Sequence, residues 1–510
     1  MDILERLKCL AEESGTKTAF KSVYGSVSYE ELWRRSGVLA ELICERMKDN
    51  KDPVVVYGHK DPTMIICFIA CVRSGRAYCP VDISMPADRI AAIIETIGEP
   101  LILIAEKNVP DDAGLLSEDG GTPLYPNTIC YDEITQYTSA DEKAAVVSNS
   151  MRVKGDDVFY IIFTSGTTGK PKGVQITTDN LNNYLNWAVT LAGGIEDGSV
   201  FLNQAPYSFD LSVMDLYPAL AVGGTVASVD KAMQQETALM LPYIAEQGIH
   251  YWVSTPSFAD LCLADSSFDS KVLPELRAFL FCGEVLTNET AKRLMERFPY
   301  AQVINTYGPT ESTVCVTDIR ITEEMADSDS PLPIGLPKPG TDIVIDPEAG
   351  EMIIIGDTVS PGYFRAPDLT DKAFFMYGDG QKRRAYHTGD KGHYDENGML
   401  FCDGRIDNQI KLHGYRIEIE DIEANLVRIE GVRRGAVAPR FKDGKADSLT
   451  AFVVRDPEVL SDDYAGRKAV RTALRELLPA YMVPKRIVFM DDLPMTGNGK
   501  LDRKALRGLA

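Results

Sequence analysis

Short apolar runs alternate with longer amphipathic stretches along most of the chain. Pro53 to Tyr57 is apolar throughout and predicts a buried strand, and Thr63 to Arg73 predicts the helix that follows. Phe159 to Phe163 predicts another strand, stopped by a loop of Thr, Ser and Gly. Asp179 to Ala192 predicts a helix with Asp179 or Thr178 as its N-cap. Tyr251 to Ser254 and Ala278 to Phe281 add two short strands. This alternation predicts an α/β body, with no internal repeat and no low-complexity tract.

The pattern changes after Asp403. Gly404 to Asn408 is a short polar joint. Beyond it come the run Gln409 to Leu412, a helix from Glu418 to Ile429, a strand from Thr450 to Val454 and a helix from Gly466 to Leu478. This predicts a large domain over 1–403, a joint over 404–408 centred near Asp407, and a small α+β domain over 409–510.

Composition narrows the class. Of 510 residues, 45% are apolar and 25% charged, which excludes a disordered chain. The 40 Gly and 28 Pro show no period and 10 Cys are too dilute, which excludes collagen-like and disulfide-scaffold chains. The net charge of −22 disfavours nucleic acid and anionic membranes as partners. From Gly404 onward, 20 Lys and Arg face 16 Asp and Glu, a net of +4 on an otherwise acidic chain. A docking face for an acidic partner and ordinary surface variation both account for this excess. The N-terminus lacks the basic-then-apolar order of a signal peptide. The apolar run Met64 to Val72, nine residues long, is about half a membrane span. The cysteines form no Cys-x-x-Cys pair and read as buried free thiols, so the expected setting is a reducing cytoplasm.

The most informative segment is Thr164-Ser-Gly-Thr-Thr-Gly-Lys-Pro-Lys-Gly173. Glycines let backbone approach an anion, hydroxyls donate hydrogen bonds, and Lys170 and Lys172 supply charge. That suits a triphosphate. It is not a Walker A loop, because two residues separate Gly166 from Gly169 and Pro171 follows Lys170.

This loop resembles the signature of the adenylate-forming enzymes: acyl-CoA synthetases, luciferases and peptide-synthetase adenylation domains. Four companions follow in order: Asn305-Thr-Tyr-Gly-Pro-Thr-Glu311, Tyr386-His-Thr-Gly-Asp390, Gly404 to Arg416, and Asn498-Gly-Lys500. The resemblance implies a large domain of stacked α/β subdomains, a small mobile α+β C-terminal domain, and ATP with Mg²⁺ as cofactors. It assigns nucleotide binding to Thr164, Ser165, Gly166, Thr167, Thr168, Lys172, Asn305, Thr306, Tyr307, Gly308, Pro309, Thr310, Asp390, Gly404, Arg405 and Lys500. Tyr307 can stack on a base, Asn305 can bond its edge, and Asp390 can accept both ribose hydroxyls. Glu311 is a hard ligand suited to phosphate-bound Mg²⁺. Lys500, the implied catalytic residue, would stabilise charge while a carboxylate attacks the α-phosphorus and pyrophosphate leaves.

Within that family, Asp210 in Ser208-Phe-Asp-Leu-Ser-Val-Met214 matches the aspartate that holds an amino-acid ammonium. A carboxylate in an apolar pocket needs a cation, although Asp210 also reads as a helix N-cap. The implied substrate-binding set is Asp210, Leu211, Met214, Cys282, Thr306, Val314 and Lys500, with Ser254, Leu280 and Cys315 beside it. Such a pocket suits a small side chain. The stretches Leu202 to Tyr217, Val253 to Asp260 and Leu280 to Leu286 look like the D-alanine–D-alanyl carrier protein ligases. There a cysteine matching Cys282 crowds the place of an L-enantiomer's methyl. Cys315 stands where alanine is expected, so another small amino acid remains open. The resemblance also makes Asp407 a hinge and Gly414 part of a thiol tunnel. Asp447-Ser448-Leu449 lies inside the small domain and is rejected as a phosphopantetheine site. The expected partners are D-alanine and a phosphopantetheine carrier protein in trans, with the chain itself a monomer and no membrane insertion.

Overall fold

The predicted alternation becomes two sheets whose inner strands are parallel. The computed structural model describes residues 1–510 except 118–121, 140–150, 167–169, 381, 413, 443–444 and 496–500. Among the described residues, one sheet has six strands in the order Thr128–Ile129, Ile102–Ile104, Val54–Gly58, Tyr78–Asp82, Val158–Thr164, Lys172–Thr177. Only its last pair is antiparallel. The other has nine, in the order Leu336–Pro337, Thr317–Arg320, Gln302–Tyr307, Ala278–Phe281, Tyr251–Ser254, Val200–Asn203, Thr225–Ser228, Thr18–Ser22, Gly25–Ser28. Its strands from Gln302–Tyr307 to Thr18–Ser22 are parallel.

Helices Pro62–Arg73 and Leu211–Ala221 are buried at every residue. A helix apolar all round belongs inside, and both join one apolar cluster with residues of the two sheets. Phe68 stacks on Tyr78 at 4.2 Å, and the Tyr78 and Tyr217 hydroxyls lie 2.7 Å apart.

An antiparallel sheet of Thr341–Ile345, Glu351–Gly356, Arg383–Tyr394, Phe374–Tyr377 and Leu400–Arg405 follows. Its last strand sets Arg405 opposite Asp390. A final sheet holds Tyr415–Glu418, Gln409–Leu412, Lys445–Arg455, Val432–Lys442 and Arg486–Met490. Helices Ile419–Leu426 and Tyr464–Leu477 cover it around a core of its own that includes Ile417, Ile422, Val453 and Leu474.

Strands Tyr251–Ser254 and Ala278–Phe281 match their predicted bounds, and the run Gln409–Leu412 forms a strand. The helix predicted from Asp179 instead starts at Thr178 and ends at Ala188, with Thr177 as N-cap. Thr177 Oγ1 accepts from the Asn180 N–H, and Asn180 Oδ1 accepts from the Thr177 N–H. The strand predicted over 450–454 runs from Lys445 to Arg455, because a hairpin partner, Val432–Lys442, pairs along its length. Ser448 lies in that ladder opposite Arg440. The helix predicted from Glu418 is shortened to Ile419–Leu426, since Glu418 ends a strand and its N–H bonds Ser165 Oγ. All ten cysteines are free thiols. Among the described residues no helix is long and apolar enough to cross a membrane.

Candidate active site

Five parallel strands end at one cavity. Val158–Thr164, Val200–Asn203, Tyr251–Ser254, Ala278–Phe281 and Gln302–Tyr307 lead directly into Ser165, Gln204, Thr255, Cys282 and Gly308, and all five of these residues line it. Open α/β sheets bind ligands at these carboxyl ends, where chain leaving the ladder has free backbone groups.

Of the predicted nucleotide residues, Thr164, Ser165, Gly308, Pro309, Thr310, Asp390 and Arg405 line the cavity. Gly166 and Lys172 line a neighbouring one. A Cβ on Gly166 would lie 2.2 Å from the Lys170 carbonyl oxygen, so only glycine fits. Thr167, Thr168 and Lys500 lie outside the described residues. Asn305 and Thr306 face the protein instead, bonding the carbonyls of Pro333 and Phe281 at 2.8 Å each.

Tyr307, Asp390, Arg405 and Asp407 form one chain. The Tyr307 hydroxyl donates to Asp390 Oδ2 at 2.6 Å, and Arg405 donates to Asp390 Oδ1 at 3.0 Å. Arg405 also grips Asp407 with two bonds, at 2.7 and 2.5 Å. Both Asp390 oxygens are therefore satisfied by protein. Burial alone would push Asp407 up, but Arg405 brings it below its ordinary value. Burial opposes the Arg405 charge as well, and the two carboxylates more than restore it. Gly404 lies beside this chain at φ +105 with open space around it.

Glu311 is fully buried. Arg416 donates to its Oε2 at 2.5 Å, Tyr363 to Oε1 at 2.9 Å, and Lys172 Nζ lies 3.7 Å away. Burial pushes its carboxyl up, yet Arg416 and Lys172 overcome this and hold it at about 2. Burial lowers Lys172 itself. In this arrangement protein side chains bond both Glu311 oxygens, so the Mg²⁺ expected there would need Arg416 displaced. Among the described residues no cluster of three or more His, Cys, Asp or Glu could hold a metal ion.

Asp210, Leu211, Cys282 and Val314 line the cavity, while Met214 is buried in the core behind them. Asp210 stands at the N-cap position of Leu211–Ala221, but its side chain makes no capping bond. Its carboxyl lines the cavity instead. Burial pushes its pKa up, and contacts with Thr310 and Lys411 only partly oppose this. A cationic ligand would reverse that penalty. Val314 has φ +69 and Thr313 φ +59. A β-branched residue there is strained, and such strain persists only where surrounding bonds impose it. Here Thr313 Oγ1 bonds the Thr358 carbonyl at 2.8 Å, and the Val316 N–H bonds the Tyr307 carbonyl at 2.8 Å.

A hairpin from the last sheet closes the cavity, and sequence reasoning gave most of its residues no role. Lys411 and Arg416 stand directly opposite each other on strands Gln409–Leu412 and Tyr415–Glu418 and both line the cavity. Like charges so paired destabilise a hairpin unless anions meet them, which was the available signal. Arg416 meets Glu311, and Lys411 lies 5.9 Å from the Tyr307 ring centroid. Gly414 turns the hairpin at φ +84, its N–H donating to Glu284 Oε1 at 2.6 Å. A Cβ there would lie 2.4 Å from Thr255. Tyr415 stacks on Tyr481 at 3.8 Å, and Phe209 meets Tyr415 edge-on at 4.7 Å. Arg89 and Asp421 add a buried pair at 3.1 Å.

Comparisons with known proteins agree with this geometry. The model of the AMP-binding enzyme family matches residues 8–364, and that of the AMP-binding enzyme C-terminal domain matches 421–500. The chain is 44% identical over 516 residues to the D-alanine–D-alanyl carrier protein ligase of Bacillus anthracis (strain CDC 684 / NRRL 3495), covering 99% of each. It is 43% identical over 515 residues to that of Listeria welshimeri serovar 6b, covering 99% of this chain and 98% of the relative. It superposes with a TM-score of 0.80 and 26% identity on a holo nonribosomal peptide synthetase protein containing adenylation and PCP domains, covering 99% of this chain and 84% of that one. The Vibrio cholerae adenylation domain AlmE, solved with glycyl-adenosine-5′-phosphate, shares the fold at a TM-score of 0.78 and 23% identity, covering 100% and 96%.

Proposed function

This chain belongs to the AMP-binding enzymes and, within them, to the D-alanine–D-alanyl carrier protein ligase family; from that premise we propose that it adenylates D-alanine with ATP and transfers the D-alanyl group to a phosphopantetheine thiol on a separate carrier protein. A D-alanine carboxylate oxygen attacks the α-phosphorus and pyrophosphate leaves. The thiol then attacks the acyl carbon and AMP leaves. Asp210 holds the ammonium, while Cys282, Val314, Leu211 and Met214 shape a pocket for a methyl group and set its chirality. Asp390 and Arg405 hold the ribose, and Thr164 to Thr168 and Lys172 the phosphates. Lys500 stabilises charge on the reacting carboxylate and α-phosphate.

We read residues 1–403 as the catalytic body, 404–408 as a hinge about Asp407, and 409–510 as a mobile small domain. The docked hairpin, with Gly414 against Thr255, suits the thiol-transfer step. Adenylation needs Arg416 withdrawn from the phosphate side, and only then is Glu311 open to Mg²⁺. The setting we assign is the cytoplasm, in support of teichoic acid D-alanylation.

The observation that carries the amino-acid reading is Asp210, a non-capping carboxylate in the pocket whose buried charge is unfavourable until a cation arrives. Cys315, buried where alanine is expected, favours a second reading: a peptide-synthetase-type enzyme for another small amino acid. ATP–pyrophosphate exchange with D-alanine, L-alanine, glycine, D-serine and L-serine tests both. Strongest exchange with D-alanine supports the first, and a preference for another residue supports the second. Exchange with no amino acid overturns the role given to Asp210.

A further inference from the structure

The segment that carries Asp210 is held from behind by one buried cation. It leaves the strand Val200–Asn203 and runs through Gln204 to Leu211, the first residue of the next helix. Gln204, Ala205, Pro206 and Ser208 line the cavity. Asn203, the Ala205 carbonyl and Tyr207 meet Lys60, which enters from the loop after Val54–Gly58 in the other sheet. The Lys60 ammonium donates to Asn203 Oδ1 at 2.5 Å and to the Ala205 carbonyl at 2.6 Å, and it lies 4.3 Å from the centre of the Tyr207 ring. An ammonium has three N–H donors, and these three contacts match them.

Asn203 passes the grip on. Its Oδ1 also accepts from Ser228 Oγ at 2.7 Å, and its Nδ2 donates to Asp215 Oδ1 at 2.7 Å. Asp215 is fully buried in the helix Leu211–Ala221, one turn beyond Asp210. Both flanks of Asp210 therefore reach back to the same ammonium. Lys60 is fully buried as well. A cation there is costly unless acceptors meet it, so these contacts fix its place.

We propose that Lys60 is a positioning residue for the amino acid: through Ala205, Tyr207 and the Asn203–Asp215 relay it sets where Asp210 stands in the pocket. Lys60 does not touch the substrate. It holds the back of a segment whose front is the pocket wall. Without it the segment relaxes, and the Asp210 carboxylate leaves the point where the substrate ammonium sits. A displacement of about 1 Å at such a site costs up to about a hundredfold. Asp390 and Arg405 stand on strands Arg383–Tyr394 and Leu400–Arg405 of a separate sheet, so the nucleotide side is spared.

The proposal rests on the reading of Asp210 as the partner of the ammonium. Steady-state ATP–pyrophosphate exchange is measured on the full-length protein carrying Lys60→Met, Asp215→Leu, Asp215→Asn, Asp210→Asn, or Lys60→Met together with Asp210→Asn. Lys60→Met is expected to raise the KM for D-alanine by about tenfold or more, with kcat and the KM for ATP nearly unchanged. Asp215→Leu shifts the same constant, whereas Asp215→Asn, which keeps an acceptor for Asn203, stays near the wild type. The double variant is expected to bind D-alanine no more weakly than Asp210→Asn alone, because the charge that Lys60 positions is already gone. A purely structural Lys60 would lower the active fraction, and hence the apparent kcat, and leave both KM values alone; that outcome overturns the proposal. So do additive losses in the double variant. A wild-type KM in Asp215→Leu overturns it too, and this variant decides the matter where Lys60→Met fails to fold. A wild-type KM for D-alanine in Asp210→Asn overturns the reading of Asp210 itself, and this proposal with it.

Discussion

Arg416 ties the closing hairpin to Glu311, and under the proposed function and hinge motion its removal is expected to separate the two half-reactions. The perturbation is Arg416→Met, which keeps most of the side-chain volume and removes the charge. Glu311 stands at about 2 against an ordinary 4.5, with Arg416 the largest of the influences that oppose burial. That gap corresponds to about 3 kcal/mol favouring the charged carboxylate. Without Arg416, Glu311 stays buried with Tyr363 at 2.9 Å and Lys172 at the longer 3.7 Å. Breaking a buried pair from one side costs about 3–5 kcal/mol. The protein recovers most of this by undocking, which lets water reach Glu311. A bias of about 3 kcal/mol lowers the docked population by about a hundredfold. The assay measures each half-reaction alone: ATP–pyrophosphate exchange, and transfer of radiolabelled D-alanine from preformed adenylate to carrier protein. Transfer is expected to fall by about a hundredfold, with exchange nearly unchanged. Equal losses in both would refute the reasoning and place Arg416 on the triphosphate instead.

Three further outcomes follow from the same geometry. Asp210→Asn removes the counter-charge of a desolvated ammonium and is expected to raise the KM for D-alanine by about a hundredfold or more, with the KM for ATP unmoved, in steady-state exchange assays. Lys60 is fully buried and donates to Asn203 Oδ1 at 2.5 Å and the Ala205 carbonyl at 2.6 Å, while Asn203 donates to Asp215 at 2.7 Å. Lys60→Met leaves the buried Ala205 carbonyl without this donor and is expected to cost about 1–3 kcal/mol, read from urea midpoints. Burial pushes the Asp82 carboxyl up, but the His59 bond at 2.6 Å together with the bonds from the Ser84 hydroxyl and N–H outweighs it and holds the carboxyl at about 2, below an ordinary 3.8. A lowered carboxylate stabilises the fold above its unfolded pKa, and that stability is lost as pH falls through about 2. The contribution is about 2 kcal/mol, so His59→Gln should flatten the acid side of the stability–pH curve below pH 4. An unchanged slope would count against that bond.

The parts of the site legible in sequence are those each strand delivers locally. Ser165 and Cys282 follow the apolar runs Phe159 to Phe163 and Ala278 to Phe281, which had to be buried strands, so their place at the carboxyl ends comes with the α/β pattern. Gly166 was legible because loop glycines near an anion have a steric reason, and the Lys170 carbonyl supplies it. Asp210 was ambiguous between cap and ligand, since both uses put a short carboxylate before a helix; its side chain makes no capping bond, and the ligand role stands as part of the proposal. Helix bounds slipped where Thr177, Thr178 and Asp179 offered adjacent caps, and only reciprocal bonding with Asn180 selects the first.

What spacing could not give is the meeting of Arg416, on a strand of the last sheet, with Glu311, 105 positions away in the short turn Thr310–Ser312. Neither residue has a local reason to prefer the other. The hairpin held only a frustration, Lys411 opposite Arg416, which has no resolution inside its own sheet. The large body held the complementary one, a fully buried Glu311 whose Lys172 contact, at 3.7 Å, leaves room for another cation. Each strain is relieved where the hairpin meets Glu311, so this contact is stabilised by groups that would be unfavourable apart. Under the proposed hinge motion, charge introduced or removed on either side should therefore change docking before it changes the fold.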